Sequence, residues 1–485
     1  MREPCRGVLA RRVEWSMSGF PDLPSRGHES RMLPYISAAR SKGKPRFRGK
    51  PLGTPRLARL SGRLPFLTQK GEVHMSSFGK QFENRRRLLQ WLSASPLLAS
   101  PGFALGATDR PSKLAELEAA AAMIAKPEEA INVFDFEPVF FKNVPPAHVG
   151  YMASGIDNEV TLRANREAFD RYYLRPRRMV DVSKPDTSVE ILGTKYPNPI
   201  IIAPTGGNKS FHPEGEVAVA RAAKVGGHLE MLSTSATTSV EDCTAARGAP
   251  IWFQLYASPK WEIAEHHLKR AERAGCSAVA ITVDRVAGRN QETFFRLRAK
   301  DTRDCKTCHT PGLQGGVKRK PAYDGIDLTG VPNLQSANMT WDFIKRARDT
   351  TKMKIVLKGI LTAEDAALCV KYGVDGLIVS NHGARGEDSG RATIDCLPEV
   401  VEAVKGRILV LIDSGFRRGT DIVKALAMGA QGVCVGRPYL WGLGAFGQPG
   451  VEKVLEILRT EFRAAMMQCG ARSVKELTPA FVRRV

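Results

Sequence analysis

The chain has 485 residues, of which 43% are hydrophobic and 25% are charged, so it can form one large domain or two to three ordinary ones. Its formal net charge is +22, but residues 1–74 supply half of that charge, with 16 Lys and Arg against 5 Asp and Glu. The rest is spread along the chain without a basic stripe, a nucleic-acid-binding motif or a run of about 18 apolar residues, which argues against a nucleic-acid-binding protein and against a transmembrane helix.

The N-terminal tail, residues 1–74, is rich in Arg, Pro, Gly and Ser and lacks apolar periodicity, so we expect it to be disordered. Met75 begins a more regular pattern. One hypothesis is therefore that translation starts at Met75 and that the basic tail is not made.

A basic cluster, Asn-Arg-Arg-Arg at residues 84–87, stands before a modest apolar stretch at residues 91–105. Residues 75–106 therefore resemble a twin-arginine export signal, which carries proteins that are already folded. The alternative is a basic turn before a poor helix. We accordingly predict a periplasmic protein, with a cytoplasmic location as the alternative.

Residues 107–190 predict an N-terminal helical segment that packs on the main body of the protein. Residues 111–125 are strong helix formers, and residues 159–172 form a second helical stretch. Between them, residues 131–141 are apolar and aromatic, which favours packing against the rest of the chain.

Residues 191–485 alternate short apolar runs with helix-like stretches, which indicates a parallel sheet with right-handed crossovers. Eight such units over this length predict an α/β fold of the closed (β/α)8, or TIM, barrel type. An open doubly wound sheet is the alternative, but no Gly-x-Gly-x-x-Gly follows the first run. The predicted strands are residues 200–203, 229–233, 251–256, 278–283, 355–358, 377–380, 408–412 and 433–435.

The long interval after strand 4, residues 285–353, lies on the side of a barrel where active sites form, so we expect a lid loop there. It contains the pattern Cys305-Lys306-Thr307-Cys308-His309. Three interpretations of this pattern stay open: covalent haem attachment, a disulfide or redox pair, and no special role. The other cysteines of the barrel fall in strand or helix patterns and are expected to be small core residues.

Polar residues stand at the end of almost every predicted strand, and two groups of them point to chemistry. His382 and Arg385 follow a buried run, which would place a proton acceptor beside a receptor for a carboxylate. The alternative is a strand end with a solvated loop. Gly and Arg residues cluster at 413–419 and again at 435–438, the strand ends where barrels often bind phosphate.

Several separate motifs occur in the order typical of one family. They are residues 253–256, 282–284, 358–359, 380–385, 413–421 and 436–438. Together they resemble the FMN-dependent 2-hydroxy-acid oxidases and dehydrogenases, and the resemblance runs from about Tyr151 to the C-terminus.

The resemblance implies roles for the substrate-facing residues. His382 would be the base that takes a proton from the α-carbon or the hydroxyl group of the substrate, and Asp284 would orient it. Arg385 would hold the substrate carboxylate. Tyr151 and Tyr256 would hydrogen-bond to the carboxylate and the hydroxyl oxygen, and Arg289 would be a second substrate-binding arginine.

The resemblance also implies FMN as the cofactor and no metal. Lys358 would lie beside the part of the flavin ring where negative charge gathers on reduction. The remaining residues expected to contact the ring, the ribityl chain or the phosphate are Ala203, Pro204, Thr205, Gly206, Ser233, Gln254, Thr282, Ser380, Asp413, Gly415, Arg417, Gly436 and Arg437.

The function implied is oxidation of an L-2-hydroxy acid, lactate-like in its side chain, to a 2-oxo acid. Electrons would pass from FMN to a respiratory quinone or cytochrome, as in an L-lactate dehydrogenase, and the protein would form a homo-oligomer, a tetramer by the family tendency. Gly206, where oxidases often have Ala, favours a dehydrogenase. An oxygen-using oxidase that makes hydrogen peroxide is one alternative. A non-catalytic FMN-binding protein is another, because Asn290 and Gly386 depart from the family pattern.

Overall fold

The protein is described from a computed structural model, which covers residues 123–285, 288–303 and 312–485. The predicted basic tail, the export signal, most of the helix predicted over residues 111–125 and the Cys305, Cys308 and His309 pattern lie outside the described residues. Among the helices that are described, none is both long and apolar enough to cross a membrane.

The centre of the fold is a closed barrel of eight parallel strands, which confirms the predicted (β/α)8 architecture. Its strands, β4 to β11, are mostly apolar and almost entirely buried, because both of their faces are covered. A two-stranded sheet forms before the barrel, and a second one pairs the first strand with the last. The strands are β1 (Tyr172–Leu174), β2 (Val189–Ile191), β3 (Thr194–Tyr196), β4 (Ile200–Ile202), β5 (Leu229–Ser233), β6 (Trp252–Tyr256), β7 (Ala278–Thr282), β8 (Lys354–Ile360), β9 (Gly376–Val379), β10 (Leu409–Asp413), β11 (Gly432–Val435) and β12 (Val482–Arg484).

The helices between the strands pack around the outside of the barrel. A side-chain cap starts one of them: the Thr362 side chain accepts a hydrogen bond from the amide of Asp365. The described helices are α1 (Phe136–Asn143), α2 (Pro146–Ala153), α3 (Val160–Glu167), α4 (Gly215–Gly226), α5 (Val240–Arg247), α6 (Trp261–Arg273), α7 (Glu292–Ala299), α8 (Gly312–Val317), α9 (Asp342–Thr350), α10 (Ala363–Lys371), α11 (Thr393–Val404), α12 (Gly419–Ala427) and α13 (Arg437–Gln468).

The segment before the barrel is more than the helical extension that was predicted. Helices α1 to α3 are present, and α1 packs closely on α13: a Cβ added to Gly444 would lie 2.4 Å from the Phe140 ring. Strands β1 and β2 also fall within residues 107–190, and the predicted boundary at 190/191 cuts through β2. The β2–β3 hairpin places Ile191 and Tyr196 in the same apolar cluster as inward-facing barrel residues, so it covers one end of the barrel.

The interval after β7 is not the simple lid loop that the sequence suggested. It contains helices α7, α8 and α9, and α9 packs on α6 as a regular barrel helix. Helix α7 packs on α2, where Gly150 allows the close approach: a Cβ there would lie 3.0 Å from Cβ of Leu297. The two segments that flank the barrel mouth therefore support one another.

Candidate active site

A cavity opens at the carboxyl ends of the barrel strands, the end of such a barrel at which ligand sites form. The structure brings fifteen of the predicted site residues to its wall. They are Tyr151, Ala203, Pro204, Thr205, Gly206, Ser233, Tyr256, Lys358, His382, Arg385, Asp413, Gly415, Arg417, Gly436 and Arg437. The other predicted residues do not line the cavity: Gln254, Thr282, Asp284, Arg289 and Ser380.

His382 is held between two polar partners at the end of β9. Its Nδ1 lies 2.7 Å from Oδ1 of Asp284, and its Nε2 lies 3.3 Å from the hydroxyl of Tyr256. A carboxylate can only accept, so Nδ1 carries the proton in the neutral ring and Nε2 is left as the acceptor toward the cavity. The arrangement can take a proton from a molecule bound there.

The protonation states of this pair follow from their burial. Burial, opposed by the charge of Asp284, lowers the pKa of His382 to about 4, so the ring is neutral near pH 7. Burial alone would raise the pKa of Asp284, but the charges of His382 and Lys358 more than offset it and leave that pKa below its ordinary value. Asp284 is therefore ionised and can stabilise the imidazolium form of His382.

The turn that carries His382 is fixed by residues that sequence analysis did not identify. His382 and Ala384 both have positive φ angles, +60° and +63°, which are costly for residues other than glycine. The side-chain amides of Asn165 and Asn381 donate to one another at 3.0 and 2.9 Å, and Oδ1 of Asn381 also accepts from the amide of Ala384 at 3.0 Å. Helix α3 thereby holds the turn in this conformation.

Lys358 lies on the cavity wall among buried acceptors. Its Nζ is 2.7 Å from Oγ of Ser380, 3.2 Å from Oδ2 of Asp413 and 3.9 Å from Oδ2 of Asp284. Burial would lower the pKa of Lys358, but the two carboxylates raise it above its ordinary value, so the side chain is charged. Ser380 therefore supports Lys358 from behind the wall.

A second buried chain of hydrogen bonds stands behind Ser233. Its hydroxyl donates to Oε1 of Gln254 at 2.9 Å, and Nε2 of Gln254 donates to the hydroxyl of Thr282 at 2.9 Å. Gln254 and Thr282 thus form a row along neighbouring strands β5 to β7, with Ser233 as its member at the cavity.

The part of the cavity wall around Tyr151 and Tyr256 is strongly cationic. The Arg385 guanidinium lies 4.6 Å from the ring centre of Tyr151, and its Nη1 donates to the carbonyl oxygen of that residue. The Arg285 guanidinium lies 5.0 Å from the ring centre of Tyr256 and donates to its hydroxyl at 3.4 Å. Arg285 lines the cavity, whereas Arg289, the predicted second arginine, is not among the residues that line it. The only sequence feature that could have pointed to Arg285 is its position shortly after the end of β7.

The far end of the cavity suits an anion. Burial and the neighbouring charge of Arg166 lower the pKa of Arg417 to about 10, and burial with the charges of Arg385 and Arg417 lowers that of Arg437 to about 9. Gly415, with φ +86°, approaches the carbonyl of Asn165 so closely that a Cβ would lie 2.0 Å from it. Two buried cations beside exposed backbone fit a phosphate group, and the apolar and hydrogen-bonding wall beyond them fits a flavin ring.

Comparison with known proteins shows the family to which the chain belongs. Residues 141–484 match the family model described as FMN-dependent dehydrogenase. The chain is 42% identical to glycolate oxidase 3 of Arabidopsis thaliana over 73% of its own length and 96% of that protein. It is 40% identical to the glycolate oxidase of Spinacia oleracea, with the same coverage of both chains.

Solved structures give the same result for the fold. A mutant mandelate oxidase with (S)-mandelic acid superposes with a TM-score of 0.65 at 34% identity, covering 73% of this chain and 98% of that one. A mutant flavocytochrome b2 with pyruvate bound superposes with a TM-score of 0.66 at 32% identity, covering 76% and 90%. The family model and the glycolate oxidase relatives imply that the cofactor is FMN and that the reaction is the oxidation of a 2-hydroxy acid. This chain belongs to the FMN-dependent dehydrogenase family.

Proposed function

We propose that the protein oxidises an L-2-hydroxy acid to the 2-oxo acid, with His382 as the proton acceptor. The observation that carries the proposal is the hydrogen-bonded series Asp284–His382–Tyr256, which presents Nε2 of a neutral histidine beside Arg385 in the cavity. A site that only bound a flavin would not need a buried carboxylate to orient a histidine.

Each side chain around the substrate has a distinct role in the proposed reaction. Arg385 offers two N–H groups to the substrate carboxylate and so fixes its orientation. Nε2 of His382 accepts a proton from the hydroxyl or the α-carbon, and Asp284 stabilises the positive ring that results. Tyr256 hydrogen-bonds to the substrate oxygen. When bound, FMN supplies the two-electron oxidation.

The residues that would hold FMN line the cavity or lie directly behind its wall. Arg417, Arg437, Gly415 and Gly436 would receive the phosphate. Ser233 and the Gln254–Thr282 row behind it would meet polar groups of the flavin ring, with Lys358 supplying positive charge. The cavity wall formed by residues 203–206 would cover one face of the ring.

The proposal also includes the electron acceptor, for which a respiratory carrier and oxygen are the two candidates. The predicted export signal favours a respiratory quinone or cytochrome as the acceptor, whereas the glycolate oxidases among the relatives favour oxygen. Gly206 does not discriminate between them, because packing alone requires it: a Cβ there would lie 2.7 Å from Cβ of Ser235 and 2.8 Å from its carbonyl oxygen. The lactate-like side chain and the tetrameric state remain predictions.

The decisive experiment is an anaerobic absorbance spectrum of the purified holoprotein before and after addition of L-lactate, glycolate and other L-2-hydroxy acids. Bleaching of the flavin by any of them supports the proposed reaction, and the rate at which air restores the colour separates oxidase from dehydrogenase. A bound flavin that no acid bleaches would leave the non-catalytic alternative instead.

We further propose export to the periplasm, on the basis of the arginines at residues 84–87. Substituting Lys for Arg85 and Arg86 should hold the protein in the cytoplasm of a bacterium that has a twin-arginine pathway. Equal periplasmic yield with and without the substitution would contradict this location.

A further inference from the structure

The turn that carries His382 has an unusual backbone conformation. His382, Gly383 and Ala384 all have positive φ angles, +60°, +65° and +63°. Two of these three residues are not glycine, and a run of left-handed residues persists only where the surrounding structure fixes it. The position of the His382 ring therefore depends on contacts from outside the turn.

Asn381 fixes this turn, and all four hydrogen-bonding positions of its side-chain amide are used. Its Oδ1 accepts from the backbone amide of Ala384 and from Nδ2 of Asn165, both at 3.0 Å. Its Nδ2 donates to Oδ1 of Asn165 at 2.9 Å and to the carbonyl oxygen of Arg391 at 3.2 Å. Asn165 and Asn381 are both buried, and their two mutual hydrogen bonds form a closed amide pair. Asn165 is therefore the link between the turn and helix α3.

Helix α3 is also fixed to the loop that would receive the FMN phosphate. Gly415 packs on the backbone of Asn165 so closely that a Cβ at Gly415 would lie 2.0 Å from the Asn165 carbonyl oxygen. The next side chain, Arg166, donates to the carbonyl oxygen of Gly415 and, at 2.7 Å, to Oδ2 of Asp421. The same oxygen of Asp421 accepts from the backbone amide of Arg417 at 3.0 Å. Two successive residues of α3 therefore contact both the turn that carries the base and the loop that would hold the cofactor.

We propose that Asn165 is a positioning residue for the reaction, which through Asn381 fixes Nε2 of His382 relative to the bound flavin and substrate. The inference rests on the proposed function, in which His382 accepts the proton. Asn165 is not among the residues that line the cavity, so it acts through the turn rather than on the substrate. A misplacement of about 1 Å can slow an enzymatic step by about a hundredfold. The amide pair therefore governs the limiting rate of flavin reduction.

The substrate carboxylate is bound independently of this link. Arg385 is oriented by Tyr151 on helix α2, since its guanidinium lies 4.6 Å from the ring centre and donates to the carbonyl oxygen of that residue. Loss of the amide pair should therefore lower the limiting rate and leave the half-saturating substrate concentration near its wild-type value. Partial unfolding would instead lower the amount of bound flavin.

The test is anaerobic stopped-flow reduction of the holoprotein by the L-2-hydroxy acid that reduces the wild-type flavin fastest, from about pH 8 down to about pH 5. Asn165→Leu keeps the approximate size of the side chain but cannot form the pair, so its limiting rate should be about ten- to a hundredfold lower at every pH. In Asn165→Asp, the ionised carboxylate cannot donate to Oδ1 of Asn381, whereas the protonated carboxyl group can. Its rate deficit relative to wild type should therefore shrink as the pH falls.

Thr161→Val is the matched control on the same helix. The Thr161 hydroxyl is buried and accepts from the backbone amide of Gly390 at 2.8 Å, away from the turn that carries His382. This variant loses a buried hydrogen bond of α3 without touching the amide pair, so its flavin should be reduced at the wild-type rate.

Reduction of Asn165→Leu at the wild-type rate would overturn the inference. A deficit in Asn165→Asp that equals the deficit in Asn165→Leu at every pH would also overturn it, because the hydrogen bonds of the pair would then be irrelevant. Where Asn165→Leu gives no folded holoprotein, the pH dependence of Asn165→Asp decides alone. If no acid reduces the flavin of the wild-type holoprotein, the proposed function itself fails.

Discussion

Oδ1 of Asp284 and Nδ1 of His382 lie 2.7 Å apart, although the two residues are 98 positions apart in the chain. They meet because β7 and β9 both end at the same rim of the barrel, separated there by β8. The pair turns a buried imidazole into an oriented proton acceptor. The first two predictions follow from it.

Replacing His382 with Ala should leave FMN bound and slow flavin reduction by about 10² to 10⁴-fold, the usual contribution of a general base. Stopped-flow reduction under anaerobic conditions measures this directly. His266→Ala, a change on helix α6 outside the cavity, serves as the matched control and should reduce at the wild-type rate. Reduction by His382→Ala at a similar rate would remove His382 from the mechanism.

The acid limb of the pH profile should move when Asp284 is changed. His382 must be neutral to accept a proton, and its pKa is about 4, so wild-type reduction should fall as the pH drops through that value. The charge of Asp284 raises this pKa; Asp284→Asn should therefore shift the limb to lower pH and also slow the reaction, since the imidazolium loses its partner. Both pH profiles are measured with the same substrate, so that ionisation of the substrate affects them equally. A shift of the acid limb to higher pH in Asp284→Asn would contradict the role of Asp284 beside His382.

Lys358→Met should destabilise the apoprotein by about 3–5 kcal/mol, because it leaves buried carboxylates without their cation. Lys354→Met is the control on the same strand: its Nζ is 3.1 Å from Asp375, but its side chain is 55% exposed, so the cost should be below about 1 kcal/mol. Urea unfolding measures both. Equal losses of unfolding free energy in the two variants would show that the ion pairs of the buried Lys358 stabilise the protein no more than an exposed ion pair does. Adding Asp413→Leu to Lys358→Met should recover part of the lost stability, because it removes one of the unpaired carboxylates.

Arg385→Lys should weaken substrate binding about ten- to a hundredfold while FMN affinity stays the same, since a lysine cannot offer two parallel N–H groups to a carboxylate. The concentration dependence of flavin reduction gives the binding constant. Arg391→Lys, at an exposed position in the same loop that pairs with Glu399, is the control. An unchanged binding constant in Arg385→Lys would exclude this arginine as the carboxylate receptor.

Sequence alone was sufficient for the architecture, because each barrel strand is an apolar run long enough to be recognised and each is followed by a helix signal. The strand before His382 was predicted at residues 377–380, and it is Gly376–Val379. By contrast, apolar patterning says nothing about which strand ends meet, so the pairing of Asp284 with His382 came from the family resemblance.

The residues that were missed have at most a weak local signal in the sequence. Arg285 follows a strand end like any loop arginine, and only the fold brings it over Tyr256. Asn165 sits on a helix far along the chain from Asn381, and their mutual hydrogen bonds depend on how α3 docks. The family spacing pointed to Arg289 instead, which the cavity wall does not include.

The contacts of Arg437 couple the two ends of the cavity. Its guanidinium donates to the carbonyl oxygens of Met152, Gly383 and Ser154 at 3.1, 3.0 and 3.2 Å, so it ties the end of α2 to the turn after His382. A phosphate that draws on the same donors must change the balance of these bonds. By thermodynamic linkage, FMN binding and the ordering of α2 then influence one another to the same extent. Amide hydrogen exchange in α2 should consequently report whether the cofactor site, on the other side of this arginine, is filled.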